Sequence, residues 1–389
     1  MTVPPVFLLL AGPAVALPPT CTTWGEPSLL ATCDDCPRLD ESSGVVPARH
    51  RPGVWFTHND AGGSAELYAF DTTGVHIETH RVTGGGFRDW EDLASGPCPE
   101  GVEAETCLYI GDVGDNGSTR DEVEIFVVAE PTEGSSPAVV ASWRLRYPDG
   151  AHDCEAVVVH PCTGRVYLLT KERDDTPRVY RAPATPTGSA SAGDLELIAL
   201  LDKAWFNDSG LLTGADWSLA GDRLVLRTYD GGWAWTTDPA APDAHWSRPP
   251  DAVPIDVEGQ GEAIAFHPDG GVLTTTERTP MRISHLPCAE SVEPAECPPP
   301  EPDDTGGPVD SAAPVDSGGP GETGGTDDGA GDEGTDDSET PAPTDSGPPP
   351  ADPAEPAATS SQKGGCGSEA AWLWLVGLVG LAGLGRRQR

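Results

Sequence analysis

Lysine is almost missing from this 389-residue chain: Lys171, Lys203 and Lys363 are its only three. Lys and Arg together number 23 against 63 Asp and Glu, for a formal net charge of −40. A chain of that sign repels phosphate backbones, which argues against nucleic acid as a partner. Helical periodicity is missing as well. Between Leu39 and Pro287 apolar residues hardly ever recur at 3.6-residue spacing, which excludes a helical bundle. There is no G-x-S-x-G elbow, no P-loop and no H-E-x-x-H. The easily recognised serine hydrolases, nucleotidases and zinc proteases are thereby removed. From Glu290 to Pro356 the chain has no aromatic residue, so that part cannot bury a core.

What is present is organised by region. Residues 1–16 read as a signal peptide, with an apolar run from Val6 to Ala11 and an Ala14-Val15-Ala16 cleavage site. The usual basic residue before the run is absent. Residues 17–38 form a cysteine-containing N-terminal segment, and residues 39–288 the folded domain. Residues 289–365 hold 19 acidic side chains against one lysine, in imperfect DSGG, DTGG and ETGG repeats. Such composition predicts a disordered, self-repelling stalk. Residues 366–389 close on the apolar stretch Ala370–Gly385 followed by Arg386, Arg387 and Arg389. That is the pattern of a C-terminal transmembrane anchor whose arginines stay inside. Export, display at a bacterial cell surface and a monomeric state are the expectations.

Ten cysteines suit an oxidising compartment. Their spacing suggests local bridges, Cys98 with Cys107, Cys154 with Cys162 and Cys288 with Cys297. Cys21, Cys33 and Cys36 leave the remaining pairing open. Cys33-x-x-Cys36 has no second ligand pair, so a disulfide is expected there rather than zinc.

The folded part alternates strand-like runs with turn residues, as in GVWFTHND (53–60), CLYIGDVGDN (107–116), RVYLLTKE (165–172) and DRLVLRTYDG (222–231). These runs fall into units that open on related segments: DESSGVV at 40, DWEDLAS at 89, DCEAVVV at 153, GADWSLA at 214 and GQGEAIAF at 259. A recurring antiparallel unit of this length predicts an all-β fold, a β-propeller. Five blades are counted, and a strand from residues 20–33 is expected to complete the last. Six blades are the alternative if the interval 172–211 hides further strands.

The first strand of a propeller blade lines the central channel, so the openers carry the candidate chemistry. They hold Glu41, Asp89, Glu91, Asp92, Asp153, Glu155, Asp216 and Glu262, with Asn59 and Asp60 ending the next strand. Two-residue alternation puts both members of Asp89/Glu91 and of Asp153/Glu155 on one strand face. Converging carboxylates are costly unless a cation neutralises them, and all-oxygen donors favour calcium. Asp89, Glu91, Asp153, Glu155 and Glu262 are the expected ligands; alternatively these acids accept hydrogen bonds from neighbouring blades. Asp112, Asp115 and Asn116 form a weaker candidate on a glycine-rich loop, where Arg120 is placed to neutralise the aspartates. His58 and His152, each near an acidic residue, are the candidate general bases. Lys171 and Glu172 are placed to pair across the channel rim.

The succession ESSGVV, PGVWFTHNDAGG, ELYAFD, DWEDLA, LYIGDVGDN and HDCEAV resembles bacterial secreted β-propeller proteins. These lie near the phytase-like, esterase-like propellers and the calcium-dependent lactonase and regucalcin group. The resemblance covers residues 40–280 and implies the fold strongly and an activity weakly. The tail Gly365-Cys366 with its apolar helix and arginines resembles MYXO-CTERM sorting signals, with Cys366 as the family cysteine. Two functions follow as expectations. One is a surface-displayed binding module for an envelope or extracellular ligand. The other is a calcium-dependent hydrolase of phosphoesters, esters or lactones.

Overall fold

A computed structural model describes residues 21, 23–61, 63–188, 191–289 and 297. The expected signal peptide, nearly all of the acidic stalk, the apolar C-terminal stretch and Cys366 lie outside the described residues. Among the described residues, no helix is long and apolar enough to cross a membrane.

The chain forms five antiparallel sheets arranged as blades. The first strand, β1 (Ser28–Cys33), precedes the first complete blade, which is β2 (Ser42–Pro47), β3 (Val54–Asn59), β4 (Glu66–Asp71) and β5 (His76–Arg81). The second blade is β6 (Trp90–Pro97), β7 (Thr106–Asp112), β8 (Val123–Ala129) and β9 (Val139–Arg146). The third is β10 (Cys154–Val159), β11 (Val166–Thr170) and β12 (Arg178–Arg181), then, past β13 (Gly193–Asp194), β14 (Glu196–Leu200). The fourth is β15 (Leu212–Trp217), β16 (Arg223–Thr228), β17 (Gly231–Thr236) and β18 (Asp251–Val253). The fifth is β19 (Gly261–Phe266), β20 (Val272–Thr276) and β21 (Met281–Leu286), completed by β1 pairing antiparallel with β21. The interval 172–211 therefore holds the outer strands of the third blade, plus β13, which pairs parallel with β9 of the second. Among its described residues there is no sixth blade.

Strands β2, β6, β10, β15 and β19 each contact the next around the ring, and β19 contacts β2. Each of these strands is the inner edge of its sheet, and closure of the ring leaves that edge short and turned toward the channel. The core is divided into five layers, one between each pair of neighbouring blades. Because each sheet is covered on both faces, the inner strands are almost wholly buried, and β10 carries the apolar run Val157-Val158-Val159. Trp55, Trp90, Trp143 and Trp235 are fully buried in these layers. Truncating any of them to alanine costs about 3–5 kcal/mol.

The disulfides differ from the spacing-based expectation at two points. Cys98–Cys107 forms as expected across the β6–β7 hairpin, and Cys33 pairs with Cys36. Cys288, however, pairs with Cys21 beside the β1–β21 seam, and Cys297 pairs with Cys162 in the β10–β11 turn. Cys154 is a buried free thiol. Cys154 and Cys162 flank the opposite ends of one extended strand, about 20 Å long, and cannot meet.

Candidate functional site at the channel mouth

All five inner strands begin at the same end of the ring, and all five break their ladder there. The register slips between Ser42 and Val45, Trp90 and Asp92, Cys154 and Ala156, Leu212 and Gly214, and Gly261 and Ile264. Each slip is a β-bulge, which re-aims a side chain out of the two-residue alternation. Glu91, Glu155 and Thr213 are the skipped residues in three blades; Ser43 and Glu262 lie within the slip in the other two.

The bulges bring together most of the expected ligands. Asp60, Asp89 and Glu91 each place a carboxylate oxygen within 4.8 Å of the others, and so do Glu91, Asp153 and Glu155. Glu91 belongs to both groups. It is 3% exposed, and its Oε1 has no hydrogen-bond partner. Gly114 of the next loop lies against it so closely that a Cβ there would stand 2.0 Å from Oε1 and 2.6 Å from Asp89 Oδ2. Only glycine leaves room for these two carboxylates.

Glu262 is tied in through a chain of polar groups. Lys171 donates to Glu155 at 2.8 Å and to the Tyr229 hydroxyl at 3.2 Å, and Tyr229 donates to Glu262 at 2.9 Å. Glu262 Oε2 is also buried without a partner. The expected pairing of Lys171 with Glu172 across the rim does not form; Lys171 pairs with Glu155. Glu172 pairs instead with His152 and Arg178.

Like charges this close repel by about 3–4 kcal/mol per pair at an effective dielectric of 20. The titration behaviour follows. Burial, then the charges of Glu155, Asp60, Asp89 and Asp153, push Glu91 well above the ordinary carboxylate range. Burial likewise raises Asp60 to about 7 and Glu262 to about 7, and raises Asp89 and Asp153. Glu155 rises to about 8 through burial, although Lys171 pulls against it. Burial opposes the Lys171 charge, but the Glu155 carboxylate more than offsets this and holds its pKa above the usual lysine range.

The other candidates have other occupations. Asp112 accepts from Arg120 at 2.8 Å and from the Arg88 amide at 2.9 Å, while Asp115 accepts from the Arg120 amide at 2.6 Å. Asn116 is exposed beside them. That loop braces the mouth, with the Asp115 amide donating to Asp153 at 2.9 Å. Asp92 and Asp216 are interblade acceptors: Asp92 takes the Val157 amide at 2.9 Å and Asp216 the Phe266 amide at 2.8 Å. His58 is fully buried against Trp90, donates to the Asn59 carbonyl, and is pushed by burial to about 4. His152 lies between Glu172 and Asp149, and its hydrogen bond to Glu172 raises its pKa. Neither imidazole stands among the mouth carboxylates.

Beside the mouth, a groove of about 510 Å³ is lined by Arg38, Glu41, Asn59, Ala61, Glu66 and Tyr68. Sequence reasoning passed over Ser43 and Thr213, which occupy the same bulges. Their signal was their offset from each opener, a hydroxyl where other units have an acid.

No protein-family model matches the chain, and no curated protein matches it. Solved structures similar to it include a PQQ-bound aldose sugar dehydrogenase from Streptomyces coelicolor, at 12% identity over 69% of this chain and 99% of that one, with a TM-score of 0.42. A glucose dehydrogenase is similar at 9% identity over 67% and 99%, with a TM-score of 0.40. The major Malassezia sympodialis allergen Mala s 1 is similar at 13% over 66% and 78%, with a TM-score of 0.39. The activities in those names belong to those proteins.

Proposed function

We propose that the protein is an exported, surface-displayed binding propeller whose ligand contact is the carboxylate mouth, loaded with a hard divalent cation such as calcium. The observation that carries this is Glu91, a buried carboxylate with an unpartnered oxygen at the meeting point of two carboxylate groups. Oxygen-only donors at this density suit calcium and leave coordination positions for oxygens of an outside ligand. The neighbouring groove, with Arg38 and Tyr68, offers such a ligand a place to lie. Cys297 is fixed to the β10–β11 turn, at the end of the ring away from the carboxylates.

A second reading rests on the Glu155–Lys171–Tyr229–Glu262 chain. It sets proton donors and acceptors beside the same oxygens, as calcium-dependent hydrolysis of a phosphoester, ester or lactone requires. One experiment addresses both. Calcium is titrated into purified wild-type chain and Glu91→Gln by calorimetry and thermal melting, with an esterase and phosphatase screen on the calcium-loaded sample. Wild type should bind calcium and melt higher with it than in chelator, and Glu91→Gln should lose that response. Turnover that vanishes with chelator would select the hydrolase. Identical wild-type melting curves in calcium and in chelator would reject the cation site altogether.

A further inference from the structure

A second cluster of donor groups lies at the opposite end of the ring, with different chemistry. Strand β19 runs away from the carboxylate mouth for about 20 Å and ends in the turn that holds His267 and Asp269. Strand β21 returns to the same end and places His285 beside them. His267 Nδ1 stands 2.8 Å from Asp269 Oδ1, and His285 Nε2 stands 3.1 Å from Asp269 Oδ2. One ligand atom from each of the three residues lies within 4.8 Å of the other two.

The groups are held in place by the fold. The His267 ring stacks on Trp55 of the neighbouring blade, with centroids 5.6 Å apart and planes 19° apart. The turn is closed by the His267 amide bonding to the Gly271 carbonyl at 2.8 Å, and the Gly271 amide donates to Asp269 Oδ1 at 2.8 Å. Gly271 also keeps the space clear: a Cβ there would lie 3.0 Å from His285 Nε2 and 2.3 Å from the Leu286 carbonyl. The two imidazoles are neighbours, with ring centroids 4.5 Å and planes 51° apart, and the His285 side chain is 13% exposed.

We propose that His267, Asp269 and His285 form a binding site for a borderline divalent transition metal, with zinc the representative ion. Two imidazole nitrogens and one carboxylate oxygen match zinc, copper(II) and cobalt(II), and they match calcium poorly. Three protein ligands leave a fourth position open to water or to a donor from another molecule. The molecule then holds two cation sites sorted by donor chemistry, oxygen-only at the channel mouth and nitrogen-containing at the far end.

The test uses the purified chain with zinc and, as a spectroscopic probe, cobalt(II). Wild type is compared with His267→Gln/His285→Gln, with Asp269→Asn, and with Glu91→Gln at the other end. Wild type should bind one zinc per chain at this site, unaffected by excess calcium, and give a visible cobalt spectrum with nitrogen ligation. The double variant should weaken zinc binding about tenfold or more, as should Asp269→Asn, which serves alone if the double variant does not fold. Glu91→Gln should bind zinc as wild type does. Equal affinity and an unchanged cobalt spectrum in the ligand variants would overturn the site. Loss of zinc binding in Glu91→Gln alone would place the ion at the mouth and overturn it equally.

Discussion

Glu91, Glu155 and Glu262 stand at the bulges of three blades, and Ser43 and Thr213 stand at the bulges of the other two. The backbone device is shared, yet the side chains are used in opposite ways. Ser43 donates to the carbonyl of Glu91, and Thr213 donates to the carbonyls of Gly261 and Glu262 at 3.1 and 3.0 Å. The hydroxyls therefore grip the next blade at the residues that carry two of the three acids. The acids leave Glu91 Oε1 and Glu262 Oε2 without partners. Two bulges hold and three present.

The sharpest way to break this division is to remove the lysine that pairs with Glu155. Lys171→Met leaves Glu155 buried without its ion pair and should cost about 3–5 kcal/mol at pH 8 in chelator. Calcium should restore part of that loss, as chemical denaturation in both buffers would show. An unchanged stability would mean that Glu155 already sits protonated and neutral beside Lys171.

Acidity tests the presenting bulges without mutation. Asp60 and Glu262 move to about 7 and Glu155 to about 8 in the folded state, from ordinary values of 3.8 for Asp and 4.5 for Glu. Their contribution is complete below about pH 4 and is lost as pH rises through 7 to 8. Burial lowers His58 and His160 to about 4 and His245 to about 3, from 6.5. Their contribution is complete above pH 6.5 and is lost as pH falls toward 4. Between pH 8 and 6.5 the carboxylates thus dominate. The metal-free melting temperature should rise by several degrees on acidification across that window, about 2–4 °C per kcal/mol. Saturating calcium should flatten the rise. A metal-free melting temperature that falls over the same window would count against strained carboxylates.

The smallest effect belongs to the holding bulges. Thr213→Val should cost about 1–2 kcal/mol, the worth of its buried hydrogen bonds, and should weaken calcium binding only slightly. A calcium response lost as fully as in Glu91→Gln would show that Thr213 presents rather than holds.

The blades were legible because strands such as CLYIGD and VYLLT are rich in β-branched and aromatic residues and end at turn formers. The openers were legible as repeats, and they led to Asp89, Glu91, Asp153 and Glu155. The bulge was not. One extra residue changes neither composition nor apolar pattern, so the same-face argument for Asp89 and Glu91 assumed an unbroken ladder. The slip between Trp90 and Asp92 instead aims Glu91 separately. Asp92 and Asp216 look like their acidic neighbours in sequence, and only the next blade's amides distinguish them. The disulfides were misread by trusting separation along the chain. Cys21 and Cys288 are 267 residues apart and meet because the ring closes there.

That closure also sets an order in time. Strand β1 is the first strand of the propeller to be synthesised and the last to find its partner, since β21 and Cys288 come more than 250 residues later. Until then Cys21 waits while Cys33, Cys36, Cys98 and Cys107 can already oxidise locally. The partners of Cys21 and Cys162 follow the last propeller strand, within ten residues of each other. The free thiol of Cys154 is present throughout and is withdrawn only when the second and third blades close over it. The two long bridges thus tie residues separated by 267 and 135 positions, and both need the last blade's end to be present.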